Sequence, residues 1–208
     1  NDQGIEIERM NTLLTGLSKD PRASLKGGLY HAEEAILNLD LVQSLKKPAG
    51  FFDPSNPLNE RLSNEDKEDE EEKPLAERSR NSRSPLLSFS NTDMAFSGNV
   101  MVAGSYHGFN IYNLDNQGHA KLVSSVICPG GQGDVSIVGN LLIMSVEQNR
   151  GRIDCGLQGA GTEPNPERFR GIRIFDISDL KRPQQVGAVQ TCRGSHTHSV
   201  VSLSLIHI

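Results

Sequence analysis

Beyond Ser84 the chain is written in short runs of β-branched and aliphatic residues, each closed by Gly, Asn or Asp. Runs of this length between turn formers predict β-strands. The pattern also repeats. Asp93-Met-Ala-Phe-Ser-Gly98-Asn99-Val-Met-Val-Ala matches Asp134-Val-Ser-Ile-Val-Gly139-Asn140-Leu-Leu-Ile-Met at an offset of 41. Gly108–Asp115 matches Gly171–Ser178 at an offset of 63, and Leu122–Cys128 matches Val186–Cys192 at 64. The second copy therefore carries about 22 extra residues around Glu147–Phe169, whose Gly and Pro content predicts a long loop. In this copy the strands are expected at Val135–Val138, Leu141–Val146, Gly171–Ile177 and Gln185–Thr191. Gly139-Asn140 is a tight-turn pair, and Asp176 and Asp179 close the third strand with side chains able to bond their own backbone. A third copy begins at His198-Ser-Val-Val201, aligned with Asp134–Ile137.

A unit of about 41 residues with four strands is the size of one β-propeller blade. The expected fold is therefore all-β: a partial β-propeller over residues 84–201, with two four-stranded blades and the start of a third. Residues 1–58 show no strand alternation and form an N-terminal arm. Within it Leu29, Ala32, Ile36 and Leu39 are spaced for one face of a weak helix. Residues 59–83 are an acidic linker expected to be disordered. Glu65–Glu72 carries a net charge of −6, without which the chain's −5 would become +1. A calcium-binding role for that tract, in a surface adhesion protein, is a further alternative. Residues 202–208 change character abruptly and form a tail of foreign sequence or a genuine strand. The chain lacks an initiator Met and a basic-plus-apolar leader, and so reads as a mature form or a fragment. Two open-ended blades would leave Phe96, Phe109, Ile111, Ile172, Ile174 and Phe175 only partly covered.

Composition narrows the function. Hydrophobic residues make up 36% of the chain, and no run approaches the ~20 apolar residues of a membrane helix. The acidic balance argues against nucleic acid held through phosphate contacts. Gly130-Gly131-Gln132-Gly133 lacks the Lys-Ser/Thr and helix of a phosphate loop, and Gly194-Ser195-His196 lacks a nucleophile elbow.

Gly171-Ile-Arg-Ile-Phe-Asp-Ile-Ser-Asp-Leu-Lys-Arg-Pro-Gln-Gln-Val-Gly resembles the LVIVD repeat, a bacterial β-propeller blade motif. The first copy, with Asp115-Asn116-Gln117-Gly118-His119-Ala120, departs from it by lacking the Pro and the Ser-Asp pair. Phe51-Phe52-Asp53-Pro54, Cys128–Asp134, Met144–Gly151 and Cys192–His198 extend the resemblance to larger LVIVD-repeat bacterial proteins, of which this chain would be an N-terminal fragment. The resemblance implies an exported protein, extracellular, periplasmic or at the cell surface, with no assigned activity. The remaining blades of a full-length chain would then be its first partner.

Three cysteines, Cys128, Cys155 and Cys192, suit one disulfide and one unpaired thiol in an exported protein. Cys128 and Cys192 occupy matching blade positions too far apart to bridge, whereas Cys155 is open to pairing with either. Three reduced thiols are the alternative. His196-Thr197-His198 would put two imidazoles on one strand face, as a metal chelate or acid/base site needs. Asp93, Asp134 and His198 fall at the entries of successive inner strands, with Gln132, Arg193 and His196 close by. These six are candidates for a polar ligand site at a channel mouth, or for hydrogen bonds that join the blades. The resulting expectation is a non-catalytic binding or scaffold module for a protein or carbohydrate, without a cofactor. The alternative is a metal-assisted hydrolase or lyase using Asp134, His196 and His198.

Overall fold

The computed structural model describes residues 20–28, 31–51, 90–160, 164–202 and 205–207, the last of these and Ser202 as backbone alone. The chain divides into two compact units, Asn1–Val42 and Gln43–Ile208.

In the first unit the described residues form turns and extended chain. The Asp20 carboxylate holds the Arg22 guanidinium at 2.5 Å, and Lys26 N donates to Glu33 Oε2 at 2.9 Å. The weak helix expected over Leu29–Leu39 is absent from the described residues of this segment. Eleven residues are too few to repay helix nucleation unless a packed face holds them. That face is missing: Ile36 is 50% exposed and Leu39 77%. Asn38 also sits at φ 58°, off the helical region.

The second unit is all-β. β1 (Asn91–Ser97), β2 (Val100–Ser105), β3 (Gly108–Leu114) and β4 (Ala120–Ile127) form one antiparallel sheet in chain order. β5 (Val135–Val138), β6 (Leu141–Val146), β7 (Gly171–Asp176) and β8 (Gln184–Gln190) form a second with the same order. A hairpin of β9 (Ser199–Ser202) and β10 (Leu205–His207) follows. The four strands expected for the second copy lie within a residue of their expected limits. Gly98 and Gly139 open the two-residue turns of both sheets at φ 57° and 58°, a conformation that favours glycine. Asp176 Oδ1 accepts from Ser178 N, and Asp179 Oδ1 from Lys181 N, which closes the third strand as expected. Among its described residues the long insertion contains only an isolated bridge, Arg152 to Arg168.

Hydrogen-bond register corrects one offset. Gly108 pairs with Ile127 and Asn113 with Lys121, whereas Gly171 pairs with Gln190 and Asp176 with Gln184. The third and fourth strands therefore match at 63 throughout, and the apolar lettering of Val186–Cys192 suggested 64. Beyond the strands the correspondence holds: Cys128 N donates to His107 O, and Thr191 N to Arg170 O. Thr191, not Cys192, is the counterpart of Cys128. By the same offset His198 corresponds to Val135, and Thr197 to Asp134. Each outer strand carries one extra residue at the matching place, Val123 in β4 and Val186 in β8. These are β-bulges.

The sheets stack through unlike faces. Val102, Phe109 and Ile111 of the first sheet meet Leu142, Met144 and Phe175 of the second. Phe109 and Phe175 lie edge-to-face with centroids 4.9 Å apart. In the second sheet the counterparts of Val102, Phe109 and Ile111 are Ile143, Ile172 and Ile174, and these lie on the opposite face. Ile143 and Ile172 are nonetheless buried. The expected partial exposure of Phe109, Ile111, Ile172 and Phe175 is thus wrong: stacking covers Phe109, Ile111 and Phe175, and Ile172 is buried on the opposite face. Phe96, 57% exposed, behaves as expected. Residues 43–51 run beside β4: Gln43 Oε1 accepts from Ala120 N at one end, and buried Phe51 stacks edge-on against His107 at the other. Phe52, Asp53, Pro54 and the acidic stretch 59–83 lie outside the described residues.

Candidate functional site

Most of the polar candidates meet where one sheet hands over to the next. Asp93, near the start of β1, accepts at Oδ2 from Val135 N at 2.9 Å, which ties the first sheet to the entry of β5. Asp134 repeats this one unit on, since its Oδ2 accepts from His198 N at 2.8 Å. Val135 and His198 are counterparts, so the same carboxylate latch serves both junctions. His198, just before β9, is buried like its counterpart Val135.

Around the His198 ring the hydrogen bonds fix the protons. Ser195 Oγ donates to Thr197 O at 3.1 Å, so Ser145 Oγ, 2.9 Å away, donates to Ser195 Oγ. His198 Nδ1 then donates to Ser145 Oγ at 2.9 Å, and the Asp134 carboxylate lies beside the same nitrogen, with Oδ2 at 2.8 Å. Nε2 is the bare acceptor, buried and without a partner among the described residues. Protonating it would bury an unpaired N–H, and burial holds the His198 pKa below its usual value against the pull of Asp134 and Asp93. Burial likewise raises Asp134, with the Asp93 charge adding to it and the His198 amide opposing.

The constellation contains serine, histidine and aspartate, yet it is not wired as a catalytic triad. A triad needs the hydroxyl on one ring nitrogen and the carboxylate on the other. Here both sit on Nδ1. Ser145 and Ser195 are 1% and 3% exposed, which closes them to a substrate.

The remaining candidates spread outward. Gln132 is held through its backbone: its N–H donates to Glu147 Oε1 at 3.3 Å, and its carbonyl accepts from Thr92 Oγ1. Its side-chain Oε1 is buried without a partner among the described residues. His196 pairs through Nδ1 with Glu147 Oε2 at 2.5 Å, while its side chain stays 61% exposed. The two histidines of His196-Thr197-His198 thus face different partners and do not chelate together. Among the described residues no group of three or more His, Cys, Asp or Glu could hold a metal ion. Arg193 is exposed and makes none of the hydrogen bonds that join this network. Sequence reasoning missed Ser145 and Thr92, and set Ser195 and Glu147 aside. Ser145, a lone hydroxyl in the apolar run Leu141–Val146, was the one legible signal.

The cysteines lie apart from this junction. Cys128, just past β4, bridges Cys155 in the insertion, with Cα atoms 4.4 Å apart. Cys192 is free and exposed. Of the two pairings open to Cys155, the structure has the one with Cys128.

No family model, curated protein or solved structure matches the chain.

Proposed function

We propose that the chain is part of an exported β-propeller of the LVIVD-repeat type, acting as a non-catalytic binding or scaffold module for a protein or carbohydrate. Stacking through unlike faces is the observation that carries this reading. A contact of face on opposite face repeats the first face on the second sheet, where Ile143 and Ile172 are already buried, so the interaction can propagate instead of ending in a closed pair. Ring closure is then the usual way to cover the last face. The repeated carboxylate latch supports the same reading, because it joins each sheet to the entry of the next. The Cys128–Cys155 bridge favours an oxidising compartment.

A scaffold role follows from how the junction uses its polar groups. Asp93, Asp134, Ser145, Ser195 and His198 direct their hydrogen bonds at backbone or at one another. The exposed His196–Glu147 pair and Arg193 remain as surface groups for a ligand. The reading is tested by assaying the purified protein for ester, amide and phosphoester hydrolysis, alongside binding to peptide and oligosaccharide panels. Saturable binding weakened by His196→Ala, with no turnover, is expected. Turnover abolished by His198→Asn in a folded variant would replace it with the hydrolase reading.

A further inference from the structure

Arg173 is the largest fully buried side chain of the described residues, at 0% exposure. It stands on β7 where the first sheet has Asn110, so a cation replaces an amide at a matching buried position. Its ligands are neutral. Nη1 donates to Gln185 Oε1 at 2.9 Å and Ile153 O at 3.2 Å, and Nη2 donates to Arg152 O. The guanidinium also lies over the Phe169 ring, 4.9 Å from its centroid. No carboxylate pairs with it among the described residues, and Nε has no partner there. A buried cation without a directly paired counter-ion is costly, and desolvation brings its pKa down to about 10 against the upward pull of the Asp154 charge. The remaining neighbour is Cys155 Sγ, 3.5 Å from Nη1.

In the disulfide that sulfur is uncharged. Were it a thiolate, Arg173 would acquire an anion in direct contact, which Asp154, paired with Arg152, does not supply. We propose that Cys128–Cys155 is a redox-addressable clamp between the first sheet and the insertion of the second, whose reduced form is held by a Cys155 thiolate–Arg173 ion pair. Stabilising the reduced form makes a disulfide easier to reduce. The two cysteines divide the chemistry. Cys128 is wholly buried among apolar neighbours, whereas Cys155 is half-buried and reachable.

The reductant is a dithiol. One of its thiolates attacks Cys155 Sγ, the S–S bond breaks, and Cys128 leaves and takes a proton. The second thiolate of the reductant then attacks its own sulfur in the mixed disulfide and expels Cys155 as the thiolate. Two electrons pass to the protein, the reductant ends as a disulfide, and one proton goes to solvent. Cys155 is the better leaving group in that second step because Arg173 receives its charge. The other charged groups near the sulfur are Arg152 and Asp154, which pair with each other at 2.6 Å. β8 contributes the neutral Gln185 and β4 leads into Cys128, so Arg173 decides the titration.

The experiment uses the Cys128→Ala/Cys192→Ala variant, which leaves Cys155 as the single thiol and needs no reductant. Its thiolate absorbance and its iodoacetamide alkylation rate are followed against pH, alongside dithiothreitol-reduced wild-type protein with each site mapped by mass. The expected midpoint for Cys155 lies at least one pH unit below the ordinary value of about 8.5, a roughly tenfold gain in thiolate at pH 7. Adding Arg173→Met should return it to 8.5 or above, and Arg173→Lys should keep part of the shift. With Arg173 in place, a Cys155 midpoint at or above the ordinary value in either the single-thiol variant or the reduced wild-type protein would overturn the proposal. So would a folded Arg173→Met protein with an unchanged midpoint.

Discussion

Truncating Phe109 to alanine separates the stacked architecture from an open pair of sheets. Phe109 is 0% exposed and meets Phe175 edge-to-face across the two sheets. Removing a buried Phe costs about 3–5 kcal/mol, because the cavity adds to the lost transfer energy. Part of this is the aromatic pair itself, worth about 0.5–1.5 kcal/mol. Phe96 is the internal control, since both residues are strand phenylalanines of the first sheet. It is 57% exposed. With less than half of a ~1.5–3 kcal/mol burial term and no enclosed cavity, Phe96→Ala should cost about 1 kcal/mol. Urea denaturation followed by circular dichroism reads both as midpoint shifts at constant slope. The melting temperature should fall by on the order of 10 °C for Phe109→Ala and a few degrees for Phe96→Ala. Equal losses, or a Phe109→Ala cost near 1 kcal/mol, would refute the stacking. A Phe109→Leu/Phe175→Leu double-mutant cycle with no coupling would refute the aromatic contact.

Gly104→Ala should be severely destabilising, because a Cβ there would come within 2.0 Å of the Gly133 carbonyl oxygen. Gly98→Ala meets nothing within 4 Å and pays only for its positive φ, about 1–2 kcal/mol, so thermal melts should rank the two clearly. Cutting the bridge with Cys155→Ser should cost about 3–4 kcal/mol by loop-closure entropy for a separation of 27 residues, measured as a lower urea midpoint. Because burial depresses the folded-state pKa of His198, the unfolded chain binds more protons there near pH 6. Stability should therefore be full above the ordinary histidine value of about 6.5 and fall below it, by at most about 1.4 kcal/mol per pH unit. The fall should be shallower in His198→Asn, and equal slopes from pH 7.5 to pH 5.5 would remove the buried neutral ring from the account.

Strand positions were legible because each run carries its own punctuation. Gly98-Asn99 and Gly139-Asn140 demand a tight turn wherever they stand, and the Asp176 and Asp179 side chains end a strand using neighbouring backbone alone. Such signals are local, and the fold obeys them. Register is not local. The one-residue slip at Leu122–Cys128 arose because several apolar letters match at either offset, and only the hydrogen bonds with β3 decide between them. From that slip came the placing of His198 beside Asp93 and Asp134 as an equivalent. The corrected offset turns it into the residue that the Asp134 carboxylate latches, as Asp93 latches Val135. The spacing of Leu29–Leu39 misled for a related reason, since helical periodicity needs a surface to bury against. Arg173 was invisible as a site because nothing in Gly171-Ile-Arg-Ile-Phe says whether the arginine faces water or the insertion.

The matching bulges at Val123 and Val186 bear on how such a chain can lengthen in evolution. A straight outer strand recruits neighbours edge to edge, and every duplicated unit would add another adhesive rim. An extra residue in each outer strand kinks that rim and interrupts its regular donor–acceptor row. Tandem duplication can then multiply units along the stacking direction while the perimeter stays unreceptive to fibril growth. The 22-residue difference between the copies fits the same economy, because the extra length is confined to the connection between β6 and β7, where it lengthens no rim.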